Sequence, residues 1–159
     1  MTSPPPDRTS HRLNEDGCNV LFVEARTHKS WLDQPVEDNL LHQLYDLMKW
    51  GPTSANCCPA RILFLRTREA KERLRPALET DNVDKTMKAP VTAIIAYDLE
   101  FYQQLPRLFP AMPAMKERFA QASELATSTA IRNSSLQGAY FMLAARSLGL
   151  DCGPAEQTG

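Results

Sequence analysis

The chain has 159 residues, 43% of them hydrophobic, and a formal net charge of -1, enough for one domain with a core of its own. Its lysines and arginines are scattered, so the basic stripe of a nucleic-acid binder is missing, and no apolar run approaches a membrane span. The opening stretch MTSPPPDRTSHRLNEDG lacks the apolar core of a signal peptide. It reads as a disordered leader over 1–17, ahead of a domain over 18–159, with the cytoplasm as the default location.

In chain order, residues 19–24 read as the end of a short helix leading into ARTHKSW. Val36, Leu40, Leu41, Leu44, Leu47 and Met48 then recur every three or four residues, which gives a second helix one apolar face. Gly51 and Pro52 stop it, because proline lacks the amide that a further turn needs. Ile62 to Leu65 is a short apolar run typical of a buried strand. Thr67 is placed to cap a helix from Glu69 to about Leu78, with Ala70, Leu74 and Leu78 on one side.

The polar stretch ETDNVDKTMK reads as a connection, and APVTAIIAYD after it as a central strand rich in β-branched residues. Residues 100–120 mix aromatics with prolines and read as loop and short helix over the core. From Glu124 to Leu148 nothing breaks a helix, and Gly149 is well placed to end it. Such a helix would be roughly 36 Å long, with Leu136, Tyr140, Leu143, Ala144 and Leu148 as its buried stripe. Strands between helices, two of them reading as fully buried, predict a sheet covered on both faces. Periodicity reaches an α/β-type domain and stops there.

Four cysteines, Cys18, Cys57, Cys58 and Cys152, show no metal-ligand rhythm, and the three histidines do not pair with them at zinc spacing. The expectation is four reduced thiols and no metal. Arg26, Thr27, His28 and Lys29 crowd into one turn that suits a phosphate, although a solvated basic turn would read the same way. In PTSAN, Thr53 and Ser54 offer hydroxyls and Asn56 a paired donor and acceptor. That set can read a heterocycle edge, or it can satisfy its own backbone. Asn82 and Lys85 precede the second strand and are candidates for the same ligand; Gly153 would let the backbone approach one closely.

Taken in order, the blocks EARTHKSWLDQPV, WGPTSANCCPARILFL, NVDKTMKAPVTAIIAYDLEFYQQLPRLFP and RNSSLQGAYFMLAARSLGLDCGP resemble the FMN-dependent nitroreductases, in particular the malonic-semialdehyde reductase branch. The resemblance implies an α+β fold (an α/β/α sandwich) with a central, mixed, largely antiparallel sheet, flanking helices and one long central helix. It implies a homodimer whose flavin site is shared between subunits. Arg26, Thr27 and His28 would hold the FMN phosphate, and Pro52, Thr53, Ser54 and Asn56 would contact the flavin from the partner subunit. Asn82 and Lys85 would lie near the ribityl chain and pyrimidine edge, with Gly153 and Pro154 beside the ring. The implied activity is ping-pong hydride transfer from NADH or NADPH through FMN. The acceptor would be a small aldehyde such as malonic semialdehyde, giving 3-hydroxypropanoate, or a nitro compound or quinone. No protein side chain would act as the catalytic group, and neither nucleic acid nor membrane would be a partner.

After Pro154 the sequence departs from the family pattern: Glu156 can stand at its polar position, but Gln157 replaces its glycine. The resemblance therefore also predicts a chain incomplete at its C-terminus. A truncated, non-catalytic remnant that binds FMN weakly or not at all is the alternative reading.

Overall fold

The structure, a computed structural model, describes residues 12–155. Of the segment read as a leader, residues 1–11 lie outside that range, as do Glu156 and Gln157. Helix α1 (Glu15–Cys18) starts where the Asn14 side chain accepts from the Gly17 amide at 2.8 Å, and it runs on into a π-helical turn, Asn19–Val23. Helix α2 (Asp38–Met48) buries Leu41, Leu44 and Met48, as its periodicity predicts.

Strand β1 (Ala60–Leu65) pairs antiparallel with β2 (Thr92–Tyr97), with Ile62 opposite Ile95. Among the described residues these two strands form the one ladder, and an isolated parallel bridge joins Thr27 to Cys152. The expectation of two fully buried strands, one of them central, fails here. Alternate residues of β1 turn outward, with Leu63 59% exposed, and the second half of β2 is exposed too. The Phe64 ring lies 6.1 Å from Phe141 of the long helix, so the sheet is covered from that side.

Thr67 caps α3 (Arg68–Leu74), accepting from the Ala70 amide at 3.2 Å. A 3-10 turn, Arg75–Ala77, follows it. The stretch read as a polar connection is instead helix α4 (Thr80–Lys88). Its inward face includes Lys85, whose aliphatic stem takes the place of an apolar residue. The end of α4 is closed from elsewhere: the buried Lys71 ammonium of α3 donates to the carbonyls of Ala89 and Met87. That burial lowers the Lys71 pKa. Short helical pieces follow, a 3-10 turn Phe101–Gln104, α5 (Leu105–Leu108) and α6 (Met115–Ala120), as the aromatic-rich stretch suggests.

Helix α7 (Ser123–Ser147) crosses the whole fold. At its end Leu150 N donates to Ala145 O and Gly149 N to Arg146 O, while Gly149 takes φ 76°. This paired closure needs a left-handed residue, and glycine adopts that conformation without strain. Two apolar clusters flank α7. Ala126 and Ala130 join Cys57, Phe101, Leu105 and Phe119 near one end, and Ala144 and Ala145 join Leu44 and Met48 near the other. Between them the buried face of α7 is polar: Thr129, Asn133, Ser134 and Gln137. The predicted stripe is thus only partly right, since Ala144 is buried but Leu136 is 47% and Tyr140 39% exposed.

Candidate functional site

The predicted site residues fall into two groups, each built by different elements. The first gathers around the end of the described chain. Thr27 bridges Cys152, and the His28 amide donates to the Cys152 carbonyl at 3.0 Å. His28 Nε2 also stands 3.4 Å from Asp151 Oδ1. Lys85, buried on α4, reaches the same strand-like segment and donates from Nζ to Pro154 O at 3.2 Å. Trp31 links the two, its Nε1 donating to Lys85 O at 2.7 Å.

Gly153 is what allows this closeness. A Cβ at that position would lie 2.4 Å from the His28 carbonyl oxygen and 2.9 Å from the Trp31 ring. Contacts that short do not occur in real side chains, so the segment would have to move away. Arg26 is exposed and gives Nη1 to the carbonyls of Val23 and Ala25, both at 2.8 Å. Among the described residues no carboxylate pairs with its guanidinium, and its remaining N–H donors make no bond to the protein. Asn82 sits one helical turn before Lys85 on α4, half-buried. Both belong to a helix and not to the loop that the sequence led us to expect.

The second group is the segment after α2. Gly51 follows the helix end, with its amide on Met48 O at 3.0 Å, and packs against Tyr140, whose ring a Cβ would meet at 2.7 Å. Pro52 and Thr53 lead into a 3-10 turn, Ser54–Asn56, in which Ala55 and Asn56 take φ of 51° and 48°. The Ser54 amide donates to Asn133 Oδ1 at 2.8 Å, and Asn56 Nδ2 donates to Leu108 O at 2.8 Å. Thr53 Oγ1 accepts from the Cys58 amide at 3.2 Å.

Both thiols in this joint are free, as are Cys18 and Cys152. Cys57 lies in the core with its pKa pushed up to about 11, chiefly by burial. Such a thiol stays protonated and unreactive near neutral pH. Cys58 Sγ is half-buried and lies 3.4 Å from Asn56 Oδ1.

Reading the sequence missed Trp31, Asn133 and Asp151, which bond to site residues, and Gln137, which holds the Ala60 amide at the end of the second segment. For Asn133 and Gln137 a signal was present: two carboxamides four apart within a long, otherwise unbroken helix lie on one face. For Trp31 and Asp151 the partners are distant in sequence, and no local pattern announces them.

Residues 23–159 match the family model described as "Nitroreductase family". Solved structures share the fold at low identity. A protein from Exiguobacterium sibiricum, provisionally named a nitroreductase and solved in complex with FMN, aligns at TM-score 0.76 and 17% identity. The alignment spans 88% of this chain and 74% of that one. YdfN from Bacillus subtilis, also provisionally named a nitroreductase, gives 0.69 and 21%, over 83% and 72% of the two chains. A protein from Staphylococcus epidermidis, provisionally named an NAD(P)H:FMN oxidoreductase, gives 0.72 and 19%, over 87% and 72%.

Proposed function

Because the chain belongs to the nitroreductase family, we propose that it is an FMN-dependent NAD(P)H oxidoreductase acting as a homodimer. One observation carries the reading: the basic turn at Thr27–His28, the α4 ammonium of Lys85 and the Gly153–Pro154 backbone converge on one place. Nothing in the local sequence requires that convergence.

The donor set fits FMN. Among the described residues Arg26 keeps unspent N–H donors on an exposed guanidinium, which suits a phosphate. Lys85 uses one ammonium donor on Pro154 O and is buried with no carboxylate partner among the described residues. A buried cation without a counter-ion favours a ligand that carries negative charge. Asn82 lies beside it on α4 as a carboxamide with both donor and acceptor. Thr53, Ser54 and Asn56 form the second group, which in the proposed dimer would meet the flavin from the partner subunit.

The chemistry that FMN supplies when bound is relay of a hydride from NADH or NADPH to an acceptor. The proposed acceptors are a small aldehyde such as malonic semialdehyde, giving 3-hydroxypropanoate, or a nitro compound or quinone. The protein would bind and orient, with no side-chain nucleophile. Support for the dimer comes from α7, which leaves Leu125, Ile131, Leu136 and Tyr140 exposed along its length. Four free thiols suit a reducing compartment, and the proposed location is the cytoplasm.

The test is titration of the purified protein with FMN, followed by NADH and NADPH oxidation with each acceptor class, alongside light scattering. Saturable FMN binding by a dimer, with acceptor-dependent turnover, is the expected result. A well-folded monomer that does not quench FMN fluorescence would refute the proposal.

A further inference from the structure

Asn133, Gln137 and Tyr140 stand at i, i+4 and i+7 of α7, on one face of the helix. All three meet the segment 51–60. Asn133 Oδ1 accepts from the Ser54 amide at 2.8 Å, and Gln137 Oε1 accepts from the Ala60 amide at 2.8 Å. Tyr140 receives Gly51 against its ring. The two carboxamides are 2% and 6% exposed, so water cannot take over their bonds. Asn133 is itself fixed, since its Nδ2 donates to Thr129 O at 2.8 Å and leaves Oδ1 aimed at the loop.

Between these two anchors the backbone takes positive φ at Ala55, Asn56 and Cys58, none of them glycine. Asparagine visits that conformation readily, but alanine and cysteine hold it only where their surroundings impose it. The anchors at Ser54 and Ala60 close on either side of the strained stretch, while Asn56 Nδ2 on Leu108 O, the Cys58 amide on Thr53 Oγ1 and the buried Cys57 hold its interior. We propose that Asn133 and Gln137 are positioning residues: α7 is a template that forces the turn and so sets where Thr53, Ser54 and Asn56 point. Their role in cofactor binding rests on the flavin reading above, whereas the clamp itself does not.

The two parts are separable by experiment. Hydrogen exchange reads the amides of Ser54 and Ala60 without any cofactor, and an FMN titration reads the site. Asn133→Leu should speed exchange at Ser54 about tenfold or more, the factor expected from one lost buried bond. Gln137→Leu should do the same at Ala60. Both should weaken FMN binding about tenfold or more, while amides of the β1–β2 ladder from Ile62 onward stay protected and so report an intact fold. Asn133→Asp keeps the acceptor for Ser54 but loses the donor to Thr129 O, so its Ser54 protection and FMN affinity should fall between those of Asn133→Leu and the unsubstituted protein. Ser135→Ala, on the exposed side of α7 with its hydroxyl on Ile131 O, should change neither readout.

Unchanged exchange in the leucine variants would overturn the clamp. Faster exchange with unchanged FMN affinity would overturn the positioning role, because the loop would then not bear on the cofactor. If the unsubstituted protein binds no FMN, the positioning role falls with the flavin reading, and the exchange measurements alone decide the clamp.

Discussion

Lys85 of α4 donates its ammonium to the carbonyl of Pro154 across 3.2 Å and sixty-nine positions of chain. A buried lysine that spends one donor on a backbone carbonyl is held in place without being neutralised. Among the described residues its two other N–H donors have no partner, at a fixed point beside Gly153. That arrangement suits the recognition of an anionic ring edge better than a stabilising ion pair, which would need a carboxylate.

If the turn at Arg26 holds the FMN phosphate, Arg26→Ala should weaken FMN binding by about tenfold or more, since a charge-assisted bond contributes about 1.5–3 kcal/mol. His42→Ala is the control, because His42 is exposed on α2, a helix that carries none of the candidate site residues. Fluorescence titration of the two variants decides it. Equal affinities would remove Arg26 from the phosphate site.

Two glycines near the C-terminal segment should respond differently to alanine. At Gly153 a Cβ meets the His28 carbonyl at 2.4 Å, so Gly153→Ala should push the Thr27–Cys152 bridge apart. It should cost about 1–3 kcal/mol and lower FMN affinity together with stability. At Gly149 nothing lies within 4 Å, but φ is 76°, so Gly149→Ala should cost roughly 1–2 kcal/mol through backbone strain alone. Its FMN affinity should not change. Thermal melts and FMN titrations on both variants separate the two effects.

The sequence carried α2, β1, the Thr67 cap and the Gly149 stop because each depends on residues close by in the chain. It misled at α4, where no apolar stripe is visible: the buried face there includes a lysine, and the helix end is closed by Lys71 from another helix. It misled again along α7. Leucines and a tyrosine look like core by composition, yet Leu136 and Tyr140 lie partly in the open while Asn133 and Gln137 are buried. Those carboxamides are inside because a loop remote in sequence brings them unpaired amides. The candidate site was legible as residue types, from Arg26 to Pro154, but its convergence through Trp31 and Asp151 was not.

Burial of Cys57 gives stability a pH signature. Its thiol is pushed up from 9.0 to about 11 in the folded protein, so the folded state keeps a proton that the unfolded chain releases. Below pH 9 the two states bind it equally, and stability then falls as pH climbs through that window, by roughly 1.4 kcal/mol per unit at most. Denaturant titrations from pH 8 to pH 11 should show this loss. Cys57→Ala should be less stable at neutral pH but flatter against pH. Parallel pH curves for the two proteins would mean that other groups cause the loss.

Ser134 Oγ is buried beside Asn133 and has no hydrogen-bond partner among the described residues. An orphaned hydroxyl of this kind costs about 1–3 kcal/mol. In an isolated subunit, Ser134→Ala should therefore be neutral or stabilising, with a melting temperature roughly 2–4 °C higher if about 1 kcal/mol is recovered. A fall in the melting temperature would instead show that the hydroxyl has a partner beyond the described residues.

The two groups of site residues are carried by different elements, and a shared site in a homodimer makes a sharp demand on them. Suppose each flavin is held by Arg26 of one subunit and by Asn56 of the other. Arg26→Ala then breaks both sites of a dimer, and so does Asn56→Ala. In a mixed dimer the two lesions fall in the same site, and the second site combines an intact Arg26 with an intact Asn56. Random reassortment of equal amounts makes half of the dimers mixed, so about one quarter of all sites should recover. FMN binding and NADH oxidation after co-refolding should rise to about that fraction from two nearly inactive parents. A site built within one subunit predicts no recovery, because every chain would still carry its own lesion. Leu136→Asp, on the exposed line of α7, should prevent the recovery by keeping the chains apart, and light scattering on that variant should show monomer.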